Sequence, residues 1–248
     1  MLDPVPLAVF LCLAGAAAGS FLVAWADRLP RGESILARPS ACRDCGTRIG
    51  WRDLVPVLSW LGLGGRCRSC GAAIPRRLFY AEIGGVALAA AAIWVAQSPG
   101  QMALGALYLW LLMGLALCDL AAFRLPDALN AALLATGLAL AAQVGALDAG
   151  LIGAGAGAAS FLAIRLGYGL LRGREGLGLG DVKLMAGIGA GIGWQALPLV
   201  ALLAALGAMA GALLRGGVTA RNTEIPFGAY LAASAAVLWL VHAQGLLR

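Results

Sequence analysis

The chain has 248 residues, of which 61% are hydrophobic and 12% are charged, with a net charge of +6 and a mean hydropathy of +0.88. Soluble domains carry about 25% charged residues. This chain therefore has too few polar residues to cover a water-soluble surface, which argues against a soluble all-helical protein. Its positive charge lies beside apolar segments and no nucleic-acid-binding motif accompanies it, so we expect membrane lipid and no nucleic acid as a partner.

Eight apolar segments predict an all-α polytopic membrane protein with about eight transmembrane helices, because a membrane-spanning helix needs about 20 mostly apolar residues. The sixth segment is short, so seven helices with one re-entrant piece are the alternative. The segments cover residues 5–26, 79–97, 102–118, 128–146, 149–170, 182–192, 196–214 and 227–243.

The first segment begins Met1-Leu2-Asp3-Pro4, and its arginines come after the apolar run. A signal peptide needs a basic region before the run and a cleavage site after it. Because the segment has neither, we predict that residues 1–26 form a retained first transmembrane helix.

Arginine marks the loops expected to face the cytoplasm, because positive residues stay on that side near helix ends. Ten arginines lie in residues 27–78, which places this loop inside and the N-terminus outside. The predicted outer loops carry no Lys or Arg, and only the terminal Arg248 breaks the pattern. The other inner loops carry Arg124, Arg172, Arg174, Arg215 and Arg221.

The loop of residues 27–78 contains two C-x-x-C-G sequences, with 21 residues between the second and third cysteines. Four thiolates at this spacing can hold one tetrahedral zinc, each sulfur about 2.3 Å from the metal, while the glycine permits a tight turn. A loop of about 50 residues is too small for a good core of its own. We therefore predict a structural zinc site on Cys42, Cys45, Cys67 and Cys70.

Two disulfides are the alternative for these cysteines, but a cytoplasmic loop lies in a reducing compartment, which disfavours them. A metal with four cysteine ligands has no open position for a substrate, so we expect the zinc to stabilise the fold and not to take part in catalysis. Cys12 and Cys118 lie in apolar segments and are predicted to be packing residues.

Two aspartates occupy the ends of apolar segments. Asp119 follows seventeen apolar residues, and Asp181 opens the sixth segment after a glycine-rich run. An ionisable residue in a membrane segment is costly and points to function, and the alternation of helices puts both at the cytoplasmic side. Two close carboxylates share a proton, so one can act as a base on water while the other donates to a carbonyl, as in aspartic proteases. Gly178 and Gly180 are expected to let a backbone or an extended substrate approach Asp181.

Structural roles are the alternative for these acids. An aspartate at a helix start is commonly a cap, which suits Asp181 and also Asp127, the residue after Pro126. Lys183 lies near the same membrane face, where it either biases proton sharing in the pair or acts as a snorkelling anchor. Glu82, near the start of the second segment, suits the membrane interface.

Taken together, these motifs resemble the bifunctional prepilin peptidases, or type IV leader peptidases, of bacterial type IV pilus and type II secretion systems. The resemblance runs nearly end to end, and the glycine-x-glycine-aspartate motif is also similar to that of presenilin-type intramembrane proteases. The matching residues are Gly19-Ser20-Phe21-Leu22 with Arg28-Leu29-Pro30, both cysteine pairs, Pro56-Val57-Leu58-Ser59-Trp60, Asp119 with Leu125-Pro126-Asp127, Gly178-Leu179-Gly180-Asp181-Val182-Lys183, and Ile225-Pro226-Phe227-Gly228.

The resemblance implies a membrane aspartic endopeptidase of the bacterial inner membrane. Such an enzyme removes the basic leader from type IV prepilin or pseudopilin precursors, after a glycine and at the cytoplasmic face. The resemblance implies catalytic roles for Asp119 and Asp181, and a second activity that N-methylates the new N-terminus with S-adenosylmethionine. Cleavage without methyl transfer is the alternative.

The chain departs from the family pattern at two places: Val23 stands where the pattern has asparagine, and Ala229 stands where it has proline. Neither departure touches the aspartates, and Val23 lies in the region associated with the non-proteolytic half. No Rossmann-like glycine sequence is present for S-adenosylmethionine, so this methyl donor rests on the resemblance alone.

The expected organisation is a first transmembrane helix at residues 1–26, a cytoplasmic four-cysteine zinc domain at 27–78, and a transmembrane aspartic peptidase domain at 79–248. Two other classes stay open. A transporter or proton channel predicts further acidic residues deep in other helices, of which the sequence has few. A zinc-ribbon membrane scaffold without catalysis predicts that both aspartates tolerate replacement by asparagine.

Overall fold

The computed structural model describes residues 4–35, 39–173, 176–214 and 225–244. Within these ranges the regular structure is helical, apart from two isolated β-bridges in the cysteine loop. Four arginines that support the predicted orientation lie outside the described residues, as does Arg248, which breaks the pattern: the four are Arg38, Arg174, Arg215 and Arg221.

Nine α-helices occur in the described ranges. One short helix, α2, lies in the cysteine loop, and each of the other eight corresponds to one predicted apolar segment. Their bounds are α1 Pro4–Arg28, α2 Leu58–Gly62, α3 Arg76–Val95, α4 Pro99–Ala122, α5 Asp127–Gln143, α6 Leu147–Arg172, α7 Leu179–Ile192, α8 Leu197–Leu214 and α9 Phe227–Ala243.

Length separates these helices into two groups. The 14-residue α7 is only about 21 Å long, against about 30 Å for the apolar core of a membrane, and α5 and α9 are also short. The all-helical prediction is confirmed, but the described residues contain five candidate spans where about eight were predicted. The candidates are Pro4–Arg31, Arg76–Val95, Pro99–Ala122, Leu147–Arg172 and Trp194–Leu214.

The boundary between the sixth and seventh segments is a helix break. α7 ends at Ile192, and a 3-10 turn over Trp194–Ala196 leads into α8. Between them Gly193 has a φ of 87°, which glycine adopts without the steric penalty of a Cβ. The predicted separation of these two helices is therefore confirmed.

Glycine lets the main helix pairs pack at backbone contact. α6 meets α7 at Gly153 and Gly189, where a Cβ on either residue would overlap the carbonyl oxygen of the other. α1 meets α3 in the same way at Gly15 and Gly85. Because lipid tails are as apolar as the side chains they replace, close van der Waals contact between small residues drives this association in a membrane.

Two aromatic side chains connect α4 to its neighbours. The Tyr108 hydroxyl donates to the carbonyl oxygens of Gly187 and Ile188 at 3.2 and 3.3 Å, which joins α4 to α7. The Trp110 indole donates to the Gly85 carbonyl oxygen at 2.9 Å, which joins α4 to α3. A carbonyl oxygen has two lone pairs, so these contacts satisfy the buried donors without breaking the helices. With α1, α5 and α9 also packed against it, α4 is the central helix.

Gly153→Ala should destabilise the protein by about 1–3 kcal/mol, because the added methyl group would overlap the backbone of α7. The matched control is Gly155→Ala, two residues along the same helix, where nothing lies within 4 Å of the new Cβ. Thermal unfolding in detergent micelles compares the two variants. Equal midpoints would contradict the packing described here.

Candidate active site and metal centre

Asp119 and Asp181 lie at opposite ends of their own helices. Asp119 is in the last turn of α4, which ends at Ala122, and Asp181 is the third residue of α7, after its N-cap residue Gly178. Both are buried, with 6% and 9% of their surface exposed. The last turn of one helix therefore faces the first turn of the other in an apolar setting.

The start of α9 lies between the two carboxylates. A Cβ built on Gly228 would be 3.1 Å from Asp119 Oδ2 and 3.0 Å from Asp181 Oδ1, so both carboxylates reach the same point. The next backbone amide, that of Ala229, donates to Asp119 Oδ2 at 2.8 Å. The structure thus brings the two predicted catalytic residues together, and a side chain at residue 228 would push them apart.

The two glycines before Asp181 have different surroundings. Gly178 has an extended backbone, and a Cβ there would be 3.5 Å from Asp181 Oδ2. Gly180 faces Leu125, whose Cβ would be only 3.0 Å from a Cβ on Gly180. A backbone or an extended substrate was expected to approach the chain closely here, but the group that lies closest to Gly180 is the Leu125 side chain.

Lys183 forms an ion pair beside the two aspartates. Its Nζ lies 2.6 Å from Asp127 Oδ1, and both side chains are largely exposed. Asp127 is the first residue of α5, and Pro126 holds the cap position, so Asp127 starts its helix without capping it. An exposed pair of this kind contributes about 1 kcal/mol or less; its effect here is to join α5 to α7 next to the site.

Two carboxylates that meet in a buried place cannot both ionise at low cost. Two such carboxylates can share one proton, and the pair then offers both a general base and a general acid. This is the combination that aspartic hydrolysis of a peptide bond requires.

The four loop cysteines form one cluster. Their sulfur atoms all lie within 4.8 Å of one another, and the Sγ atoms of Cys42 and Cys70 are 3.8 Å apart. Tetrahedral zinc with Zn–S bonds of about 2.3 Å holds its sulfurs about 3.8 Å apart, so the cluster has the dimensions of a zinc site. A disulfide needs sulfurs about 2.05 Å apart; all four thiols are free, which argues against the disulfide alternative.

Each cysteine pair lies on the same kind of turn. In the first, Cys42 N donates to Thr47 O at 2.9 Å and Gly46 N donates to Cys42 O at 3.1 Å, and the second repeats this pattern. Gly46 and Gly71 have φ values of 69° and 73°, which glycine adopts without steric cost. The role predicted for these glycines is confirmed.

Hydrogen bonds give the thiols of the cluster different pKa values. The Thr47 hydroxyl and backbone favour the thiolate of Cys45 and lower the pKa of that thiol to about 6. A backbone hydrogen bond from Ala72 also favours the Cys70 thiolate, but the neighbouring thiols outweigh it and raise the pKa of Cys70 to about 12. A bound divalent metal cation would supply the positive charge that lets all four sulfurs be thiolates together at neutral pH.

Acidic side chains of the helices hold the loop against the bundle. Asp27 of α1 pairs with Arg43, which lies between the first two cysteines, and with Arg77 of α3 at 2.8 Å. Glu82 of α3 accepts from the Val57 amide at 2.7 Å and is buried, so its carboxylate lies inside the protein. The bond supports Val57 at a φ of 63°, a conformation that is costly for a β-branched residue.

The cysteine loop and the aspartates share one end of the bundle. Gly15 of α1 meets Gly85 of α3, and Gly19 meets Ala81, so these two helices are antiparallel. α4 follows α3 after a short turn and packs along it, so α1 and α4 run in the same direction. The turn Leu29–Arg31, which follows α1, packs against α4. The cysteine loop and the aspartates therefore lie at the same end of the bundle.

Sequence reasoning did not identify Gly228, Ala229 or Asp27 as site residues. Gly228 entered only as part of a family motif, and Ala229 only as a departure from it. The one local signal was a glycine directly after Pro226 and Phe227 at the start of an apolar segment. That signal predicts a helix start, but it does not show which residues of other helices lie against it.

Comparison with known proteins agrees with these features. The model of the bacterial Peptidase A24 N-terminal domain matches residues 13–96, and that of the Type IV leader peptidase family matches residues 106–214. No solved structure matches the chain significantly.

Several curated relatives are named prepilin leader peptidase/N-methyltransferase. The relative from Aeromonas hydrophila is 40% identical over 216 residues, which cover 83% of this chain and 73% of the relative. The relative from Pseudomonas aeruginosa is 37% identical over 266 aligned positions, which cover 94% and 91%. With both halves matched and this identity along most of its length, the chain belongs to the type IV leader peptidase family.

Proposed function

We propose that this protein is a membrane aspartic endopeptidase that removes the basic leader from type IV prepilin or pseudopilin precursors, cutting after a glycine. The observation that carries the proposal is the meeting of the buried Asp119 and Asp181 carboxylates beside Gly228. The names of the relatives supply the substrate class. Gly178, Gly180 and Lys183 border this site and are proposed to shape it.

The proposed reaction uses the aspartate pair on a water molecule. The ionised carboxylate takes a proton from the water while the water oxygen bonds to the scissile carbonyl carbon, and the protonated carboxyl donates its proton to the carbonyl oxygen. The tetrahedral intermediate then breaks its C–N bond. The electron pair goes to the nitrogen, which takes a proton and leaves as the new N-terminus.

We propose that the protein lies in the bacterial inner membrane as a multi-pass protein, with its N-terminus outside and its cysteine loop and aspartates at the cytoplasmic face. A substrate helix beside α4 and α7 would then have its basic leader in the cytoplasm. Its cut site would reach the aspartates where it leaves the lipid. Residues 27–78 form the zinc domain in this proposal, and residues 79–248 the peptidase domain.

Zinc is proposed to stabilise the cysteine loop. Cys42, Cys45, Cys67 and Cys70 together offer four thiolates and leave no open position for a substrate. The loop contributes few apolar residues to the core, so the metal supplies the cross-link that a small polar segment needs to hold one conformation.

Methyl transfer to the new N-terminus is proposed as the second activity, because the relatives are named N-methyltransferases. S-adenosylmethionine is the donor that the resemblance implies. Two described surface depressions do not fit its sulfonium cation. One, between α1 and α3, is apolar. The other, beside the cysteine loop, contains Arg52 and Arg68, and its one carboxylate, Asp53, is already paired with Arg68. No residue of this chain is therefore assigned to the donor.

Asp119→Asn and Asp181→Asn should each reduce cleavage of a prepilin-like substrate in membranes by at least about 100-fold, because each removes one member of an acid–base pair without changing its size. Asp148→Asn, at an exposed position in the first turn of α6, is the matched control and should cleave normally. Cleavage at the wild-type rate by either site variant would exclude the pair as catalytic.

The mass of the cleaved product tests methyl transfer. With S-adenosylmethionine present, the product should be heavier by one CH2 group, and without it cleavage should continue and give the lighter product. The Asp119→Asn variant, supplied with substrate already cleaved, should still add the methyl group. A product of unchanged mass under all conditions would support the alternative of cleavage alone.

Replacing Cys42, Cys45, Cys67 and Cys70 by serine should abolish binding of about one zinc per chain and make the arginine-rich loop sensitive to trypsin, because the loop loses its cross-link. Cys12→Ala is the control, since this cysteine lies in α1 outside the cluster. Elemental analysis of the purified protein measures the zinc. Unchanged zinc content in the fourfold variant would rule the site out.

A further inference from the structure

The helix ends around the aspartate pair place the two carboxylates in different electrostatic fields. Asp119 lies in the last turn of α4, where the helix carries a partial negative charge, and Asp181 lies in the first turn of α7, where it carries a partial positive charge. From their own helices alone, the negative charge of the pair would rest on Asp181.

The first turn of α9 favours the opposite distribution, with the negative charge on Asp119. Its third residue, Ala229, donates its backbone amide to Asp119 Oδ2 at 2.8 Å. A first-turn amide has no partner within its own helix, so the donation costs no helical hydrogen bond. A hydrogen bond to an ionised carboxylate is about twice as strong as a neutral one, and burial strengthens it further. The field of the α4 terminus, by contrast, is spread over a whole turn.

We propose that the Ala229 amide is a positioning group that holds the negative charge of the pair on Asp119. Asp119 is then the base that takes the proton from water, and Asp181 keeps the shared proton and donates it to the carbonyl oxygen. This assignment rests on the proposed function of the pair in peptide cleavage.

The absence of a side chain at residue 228 supports the role of this helix start. α9 can approach this closely because residue 228 is glycine: a Cβ there would be 3.0–3.1 Å from an oxygen of each aspartate.

Apart from Cys118, which is buried next to Asp119 in α4, the other titratable groups on the elements packed around the pair have partners of their own or lie at the surface. A substitution at residue 229 leaves these groups unchanged, so their contribution to the pH dependence of cleavage is the same in every variant. In the described part of the chain they include Lys183 with Asp127, Asp27 with Arg43 and Arg77, Glu82 with the Val57 amide, Tyr108 with carbonyls of α7, Arg165 with the Leu177 carbonyl, Tyr168 beside Gly176, Tyr230 beside Gly211, Arg28 with loop carbonyls, the buried Cys118, and the exposed Arg124, Asp148, Arg172 and His242.

The test is the pH dependence of prepilin cleavage by the full-length protein in nanodiscs, compared between Ala229→Pro and Ala229→Gly. Proline removes the donor but places its ring carbon Cδ against Asp119 Oδ2, whereas glycine keeps the donor. An amide-to-ester replacement at residue 229, which removes the N–H without adding an atom, is therefore measured beside the proline variant. Without the amide, Asp119 should hold its proton to higher pH. The acid limb of the rate profile should therefore move up by about one pH unit in Ala229→Pro, the size expected for one charge-assisted hydrogen bond. In Ala229→Gly the limb should keep its wild-type position.

An unmoved acid limb, an equal shift in the glycine variant, or a shift confined to the alkaline limb would overturn the assignment. The last result would mean that Asp181 carries the charge. If Ala229→Pro fails to fold, an amide-to-ester replacement at residue 229 removes the same N–H with little change of shape, and the same outcomes apply. Absence of cleavage by the wild-type protein would instead contradict the proposed function itself.

Discussion

The burial of two carboxylates at one point is the constraint on which the arrangement of α4, α7 and α9 depends. A carboxylate removed from water is costly unless hydrogen bonds or a shared proton compensate for it. Inside an apolar helix bundle, free backbone donors exist only in the first turn of a helix. The aspartates therefore lie where helix ends meet, Asp181 in the first turn of α7 and Asp119 against the first turn of α9.

Small residues make this convergence possible. The same glycine contacts that bring α6 against α7 and α1 against α3 position the helices from which the site is built. At Gly228 the absence of a side chain serves the site directly, since both carboxylates occupy the space around it. In a membrane, where burial of apolar surface does not favour one helix partner over lipid, such shape complementarity determines which helices meet.

The cysteine loop is tied to the bundle by contacts of several kinds. Asp27 pairs with Arg43 of the loop and with Arg77 of α3. Glu82 accepts from the Val57 amide, and Trp60 stacks on Phe79 with ring centroids 4.5 Å apart. These contacts come from α1 and α3, which both pack against α4. The cysteine cluster and the aspartate pair thus lie at one end of the same helix bundle, connected through the central helix α4.

The sequence by itself determined the features that depend on neighbouring residues. Apolar segments located eight of the nine described α-helices, the spacing of the cysteines and glycines predicted the cysteine cluster, and charged residues at the ends of apolar runs pointed to Asp119 and Asp181. Only the tertiary structure decided which groups surround these residues. It paired Lys183 with Asp127, buried Glu82 against the loop, and showed that α7 is too short to match a membrane. The Ala229 amide and the Asp119 carboxylate are 110 residues apart in the chain. No local pattern encodes such a contact, because it depends on how separate helices pack and on which backbone donors the ends of those helices leave free.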